Sequence, residues 1–133
     1  MIDVESQIFT AVATALRTAF TGISVESTTT YSPSKFPCVC IEEADNYAYS
    51  QTADSGSNEN HANVIYEVNV YSNKAAGSKS ECKSILSVID GVMNDLGFIR
   101  TVKSPVNMDS ATKYRVFARY AAVISQSEVI YRR

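Results

Sequence analysis

The residues of this chain that could build a reactive or metal-binding centre are three cysteines, one histidine and two groups of carboxylates. Cys38 and Cys40 stand two apart in a segment that reads as a strand, so both thiols point to one sheet face, while Cys82 falls on a helical pattern. That spacing is not a zinc knuckle, and with only His61 to help, a closed metal site would have to draw ligands from carboxylates. The plainer reading is buried thiols acting as small hydrophobes, and their odd number fits a reducing compartment. His61 adjoins a polar stretch, which leaves a Ser-His-Asp or Cys-His arrangement without a fixed base. Adjacent strand residues such as Glu42 and Glu43 face opposite ways, and Asp90 and Asp95 diverge on a helix, so neither these nor Asp45 form an acid–base or metal pair. Gly22, Gly56, Gly77, Gly91 and Gly97 are scattered and make no phosphate loop. The expectation is a non-enzyme with no catalytic, cofactor-binding or metal site and no cofactor.

At 133 residues and 45% hydrophobic content the chain can bury one core without staples, so residues 1–133 are expected to form a single domain. Its 12 basic and 14 acidic side chains nearly balance, which argues against a broad attraction to nucleic acid or an anionic membrane. The interleaved run Tyr114 to Tyr120 has the composition of a base-stacking surface, but the net charge of -2 weighs against that use. No apolar run approaches the roughly 20 residues that cross a bilayer, and Met1-Ile2-Asp3-Val4-Glu5 lacks the pattern of a signal peptide, so a soluble cytoplasmic protein is expected.

These residues must be positioned by helices and strands that the periodicity makes visible. Apolar positions Ile8, Val12, Ala15, Leu16, Ala19 and Phe20 predict a helix over 2–20, capped by Asp3 and stopped by Gly22. Its opposite face of Ser6, Thr10, Ala11, Thr14 and Thr18 is small and neutral. A β-branched run predicts a strand over 23–30, prolines break the chain at 33 and 37, and a second strand begins at Cys38 and grows polar toward Asn46. Residues at about 48–61 carry no large apolar anchor and are expected to form a mobile polar loop. Val64, Tyr66, Val68 and Val70 alternate as in a half-buried strand. Ser78 and Glu81 then predict a capping box for a second helix, whose stripe of Cys82, Ile85, Leu86, Ile89, Met93 and Leu96 ends at Gly97. Strands over 98–103 and 113–125 follow, with a turn at 104–110.

The fold class is therefore α+β in the order α-β-β-β-α-β-β: a mostly antiparallel or mixed sheet of four to five strands with both helices on one face. The other face would be left open, and on the last strand it carries Arg115, Phe117 and Arg119, a mixture typical of protein interfaces, so these are the candidate subunit contacts. Tyr47, Tyr49, Tyr71 and Tyr131, placed near strand ends or loops, also suit protein contacts.

Ile8 to Leu16, Phe36-Pro37-Cys38-Val39, Tyr66 to Asn73, and Gly97-Phe98 followed by Tyr114-Arg115 and Arg119-Tyr120 give a pattern across most of the chain. It resembles the small tail-completion or tail-terminator (neck) proteins of siphophage-like phages and of prophages of Gram-positive bacteria. The resemblance implies a viral structural protein that assembles in the host cytoplasm and ends in the virion tail or neck. It implies self-association into a ring, usually a hexamer, that caps the phage tail tube and meets the head-tail connector proteins, with no membrane or specific nucleic-acid partner. In that setting Asp54, Ser55, Gly56, Ser57 and Asn58 are the candidate docking loop, ordering on contact with a partner. A head-tail connector or minor capsid protein is the alternative, with a small enzyme or accessory regulator behind both.

Overall fold

The computed structural model of the chain describes residues 3–28, 33–48, 61–106, 108, 112–125 and 130–132. The first helix, α1 (Glu5–Ala19), has Val4 rather than Asp3 at its cap position, with no capping side-chain bond there; Asp3, one residue further out, instead turns its Oδ1 back to accept the Glu5 amide at 3.0 Å. That satisfies one of the first-turn donors that no helix can pair internally. Ile8, Val12, Ala13 and Leu16 are buried along one side of α1, and Ser6, Thr10, Thr14 and Thr18 are exposed on the other.

Six strands form one sheet: β1 (Ser24–Glu26), β2 (Cys38–Ala48), β3 (His61–Ser72), β4 (Ile99–Val106), β5 (Tyr114–Ser125) and β6 (Ile130–Arg132). Their spatial order is β1-β2-β3-β5-β4, with β6 on β5 at Ala122–Ile124, next along the edge from the segment of β5 that β4 occupies. β1 is parallel to β2 and every other pairing is antiparallel, so the sheet is mixed. The second helix, α2 (Ser78–Leu96), lies between β3 and β4 in the chain, which gives the expected order with β6 added.

Both helices pack on one face of the sheet. The core there joins Ile8, Val12 and Leu16 of α1 and Ile85, Ile89 and Met93 of α2 to Val39 and Ile41, to Tyr66, Val68 and Val70, and to Val116, Ala118, Tyr120 and Ile124. α2 ends as its sequence predicts. Gly97 takes φ 101°, the Gly97 amide donates to Asn94 O at 3.0 Å, and the Phe98 amide donates to Met93 O at 2.9 Å. This paired bonding closes the last turn while Phe98 and Met93, both buried, meet the core.

Three local expectations are corrected. Ser78 and Glu81 form no capping box: Gly77, at φ 92°, precedes the helix, and the Glu81 carboxylate accepts the hydroxyl of Ser72 at 2.6 Å. Ser72 is fully buried at the end of β3, and a buried hydroxyl without an acceptor costs more than an exposed cap gains. Of the strand expected over 23–30, the described residues 23–28 form only Ser24–Glu26. As expected, by contrast, β2 continues through its polar half, where Glu42 to Ala48 keep pairing with β3 across a bulge at Ala44. Pro105 lies inside β4 rather than in a turn, opposite Val116, and β4 is an edge strand, where proline is tolerated.

Candidate interaction surfaces

The sheet face opposite the helices is assembled in cross-strand rows. One row runs Cys38, Tyr71, Arg115, Val106; the next runs Cys40, Asn69, Phe117, Ser104; the next Glu42, Glu67, Arg119, Val102. Toward the other end, Asp45, Ile65, Ala121 and Ile99 form a further row. These registers bring the three candidate contact residues together, but with different surroundings.

Arg115 is anchored within the chain. Its Nε and a terminal nitrogen donate to Asn69 Oδ1 at 3.0 and 2.8 Å, and its guanidinium lies 5.1 Å from the centre of the Tyr71 ring. Tyr71 is buried, contrary to its expected place at the surface, and it packs with Cys38, Cys40, Phe36 and Met108 in a second, smaller apolar cluster. The chain thus covers this corner of the face with its own loops. Phe117 is half-buried, and Arg119 points outward at 49% exposure, where its Nε meets Glu67 Oε1 at 3.3 Å. Tyr47 and Val102, at 43% and 38%, are also exposed on this side. The open part of the face is therefore the β4 side and the far end of β2, with Arg115 as its inner wall. Tyr49 and the docking-loop residues Asp54, Ser55, Gly56, Ser57 and Asn58 lie outside the described residues.

The thiols meet a carboxylate that the sequence reading did not supply. Parallel pairing sets Glu26 beside Cys40 and Ser24 beside Cys38, and one donor atom each from Glu26, Cys38 and Cys40 lies within 4.8 Å of the others. The trio has the donor chemistry of a zinc or soft-metal site, but a closed tetrahedral centre takes four ligands. Contact with the Cys40 thiol, followed by burial, pushes the Cys38 thiol well above its ordinary range, which keeps it neutral. Cys82 is separate, beneath α2, where its thiol donates to Val70 O at 3.7 Å and burial pushes it up to about 12.

The carboxylates do not form an acid–base pair. Asp90 accepts the Tyr120 hydroxyl at 2.9 Å and an Arg100 nitrogen at 3.3 Å, while Asp95 is exposed. Glu42 pairs in register with Glu67 on the outer face. Glu43 turns to the helix side, where it accepts Asn46 Nδ2 at 2.8 Å and titrates under the influence of Glu5, Asp3 and Asp45. A depression of about 520 Å³ at the start of α1 is lined by Asp3, Glu5, Ser6, Gln7, Phe9 and Ser27. At the opposite side of the sheet, Lys79 and Lys83 of α2 and Lys103 of β4 rim a groove of about 210 Å³ floored by Leu86, Pro105 and Val116. Sequence reading missed both flanks. The four-residue step from Lys79 to Lys83 was visible on the helix pattern, but their approach to Lys103 depends on tertiary packing.

No protein-family model matches the sequence, and no curated protein matches it. Among solved structures, the chain is similar to one in "Virion of native gene transfer agent (GTA) particle", with a TM-score of 0.58 and 13% sequence identity over 91% of each chain. The likeness is one of fold. At this identity the gene transfer agent chain shares the layout of helices and sheet over nearly the whole length, and carries no residue assignment across. No helix among the described residues is long and apolar enough to cross a membrane.

Proposed function

We propose that this chain is a structural, non-enzymatic subunit of a phage-like particle, and specifically a tail terminator that caps the tail tube as a ring and joins it to the head. The observation that supports this most is the fold similarity to a virion chain over 91% of both proteins. It agrees with the resemblance carried by the sequence, and the open sheet face with exposed Tyr47, Val102 and Arg119 offers contact surface. In this reading the protein assembles in the host cytoplasm and stays in the finished particle, taking its contacts from other virion proteins rather than from nucleic acid or membrane.

The test is to purify tail tubes from a particle-forming strain lacking this protein, add the protein back, and image the complexes. A terminator is expected to sit at one end of the tube and to restore head attachment. Density on the portal end of isolated heads, with tube ends left bare, would replace the terminator by a head-tail connector, which the same fold similarity accommodates.

A further inference from the structure

The two charged flanks described above have opposite signs and lie on opposite sides of the sheet. On the first, exposed Asp3 and half-buried Glu5 at the start of α1 meet half-buried Glu43 on the helix side of β2, and exposed Asp45, across the bulge at the same edge, is near enough to add its charge. Burial, and then repulsion from Glu5, Asp3 and Asp45, raises the Glu43 carboxyl above its ordinary range, against the lowering effect of its bond from Asn46. These carboxylates therefore burden one another within a single copy. A second sign of unmet polarity lies beside them: the Tyr66 hydroxyl is buried, feels the charges of Glu43, Glu5 and Asp3, and has no hydrogen-bond partner among the described residues. On the other flank Lys79, Lys83 and Lys103 are exposed around an apolar floor.

One copy cannot bring these flanks together. In the order β1-β2-β3-β5-β4, β3 and β5 separate β2 from β4, so the two edges are roughly 14 Å apart at the strand spacing of a sheet. We propose that a second copy of this chain is the partner of each flank, with the Asp3–Glu5–Glu43–Asp45 side of one molecule seated on the Lys79–Lys83–Lys103 groove of the next. β2, unpaired by β1 beyond Cys40, and the edge strand β4 carry bulges, at Ala44 and Thr101, and β4 carries Pro105, devices that discourage backbone pairing between edges. The contact is accordingly made by side chains, ion pairs over an apolar floor. Because the flanks are different surfaces, the contact is head-to-tail and repeats until it closes on itself. The inference deepens the terminator reading and rests on it for closure into a ring.

The experiment measures self-association of the full chain by size-exclusion chromatography with light scattering, at low and high salt. Two charge-reversed proteins are made, K79E/K83E/K103E and D3K/D45K, all at exposed positions. Wild type is expected to form species larger than a dimer that weaken as salt screens the contact. Each reversed protein alone should associate about tenfold or more weakly, and an equimolar mixture of the two should recover assembly, because each then offers the flank the other needs. If a reversed protein fails to fold by circular dichroism, K79Q/K83Q and D3N/D45N replace it and should weaken association without restoring it on mixing. Wild type that stays monomeric or stops at a dimer, reversed proteins that associate like wild type, or a mixture that recovers nothing would overturn the proposal. Head-to-tail assemblies that leave tail tubes bare would sink the terminator reading and keep this one; tubes capped equally well by both reversed proteins would do the reverse.

Discussion

The two faces of this sheet are built from alternate residues of the same strands, yet they are held by different forces. On the helix side, β3 contributes Val64, Tyr66, Val68 and Val70 to a core closed by α1 and α2. On the other side, among the described residues, the intervening Ile65, Glu67, Asn69 and Tyr71 face neighbours in the sheet and short loop segments, with bonds from Arg115 to Asn69 and from Arg119 to Glu67. The first face is fixed by removal of apolar surface from water, which is large and non-directional. The second is fixed by a small apolar cluster around Tyr71 and a few directed polar contacts, and its exposed part is confined to positions such as Tyr47, Val102 and Arg119.

Substitutions should separate these regimes. Ile89→Ala, deep under α2, should cost about 2–5 kcal/mol in urea unfolding, whereas Phe117→Ala on the half-buried outer face should cost well under that. Equal losses would mean that the outer face is also core. Arg115→Ala removes both bonds to Asn69 and the ring contact with Tyr71, and should lose about 1–2 kcal/mol by the same measurement. Within the core, the tyrosines should respond with opposite signs: Tyr120→Phe loses the bond to Asp90 and about 1 kcal/mol, while Tyr66→Phe removes a buried hydroxyl that has no partner among the described residues and gains about as much.

Glu43→Gln tests the acidic flank through pH. A carboxyl raised in the folded state favours folding while protonated, and that contribution fades as pH rises from its unfolded value through its folded one. The variant should melt slightly above wild type at pH 7, and the difference should shrink as pH falls through the carboxylate range. Arg119→Ala should give the smallest effect, within about 0.5 kcal/mol, because its pair with Glu67 is solvent-exposed.

The helices and the central strand were legible because their determinants are local. The stripe from Cys82 to Met93 and the left-handed Gly97 act within one turn of each other, and the alternation of Val64, Tyr66, Val68 and Val70 belongs to one strand. What the sequence concealed depends on partners distant in the chain. Glu26 reaches the thiols only through the parallel register of β1 on β2. Glu81 matched a capping motif locally, but the buried hydroxyl of Ser72, nine residues earlier, claimed its carboxylate. The three candidate contact residues on β5 were legible as a face by their alternation; that Arg115 is held inward followed from Asn69 and Tyr71 on another strand.

All three cysteines are buried, and the thiols of Cys38 and Cys82 are held in their uncharged, poorly nucleophilic form. The native protein should therefore be nearly inert to iodoacetamide. A single cysteine installed at Val102 would then accept a fluorescent reporter without prior removal of the natural ones, giving a site-specific view of whatever comes to rest on that side of the sheet.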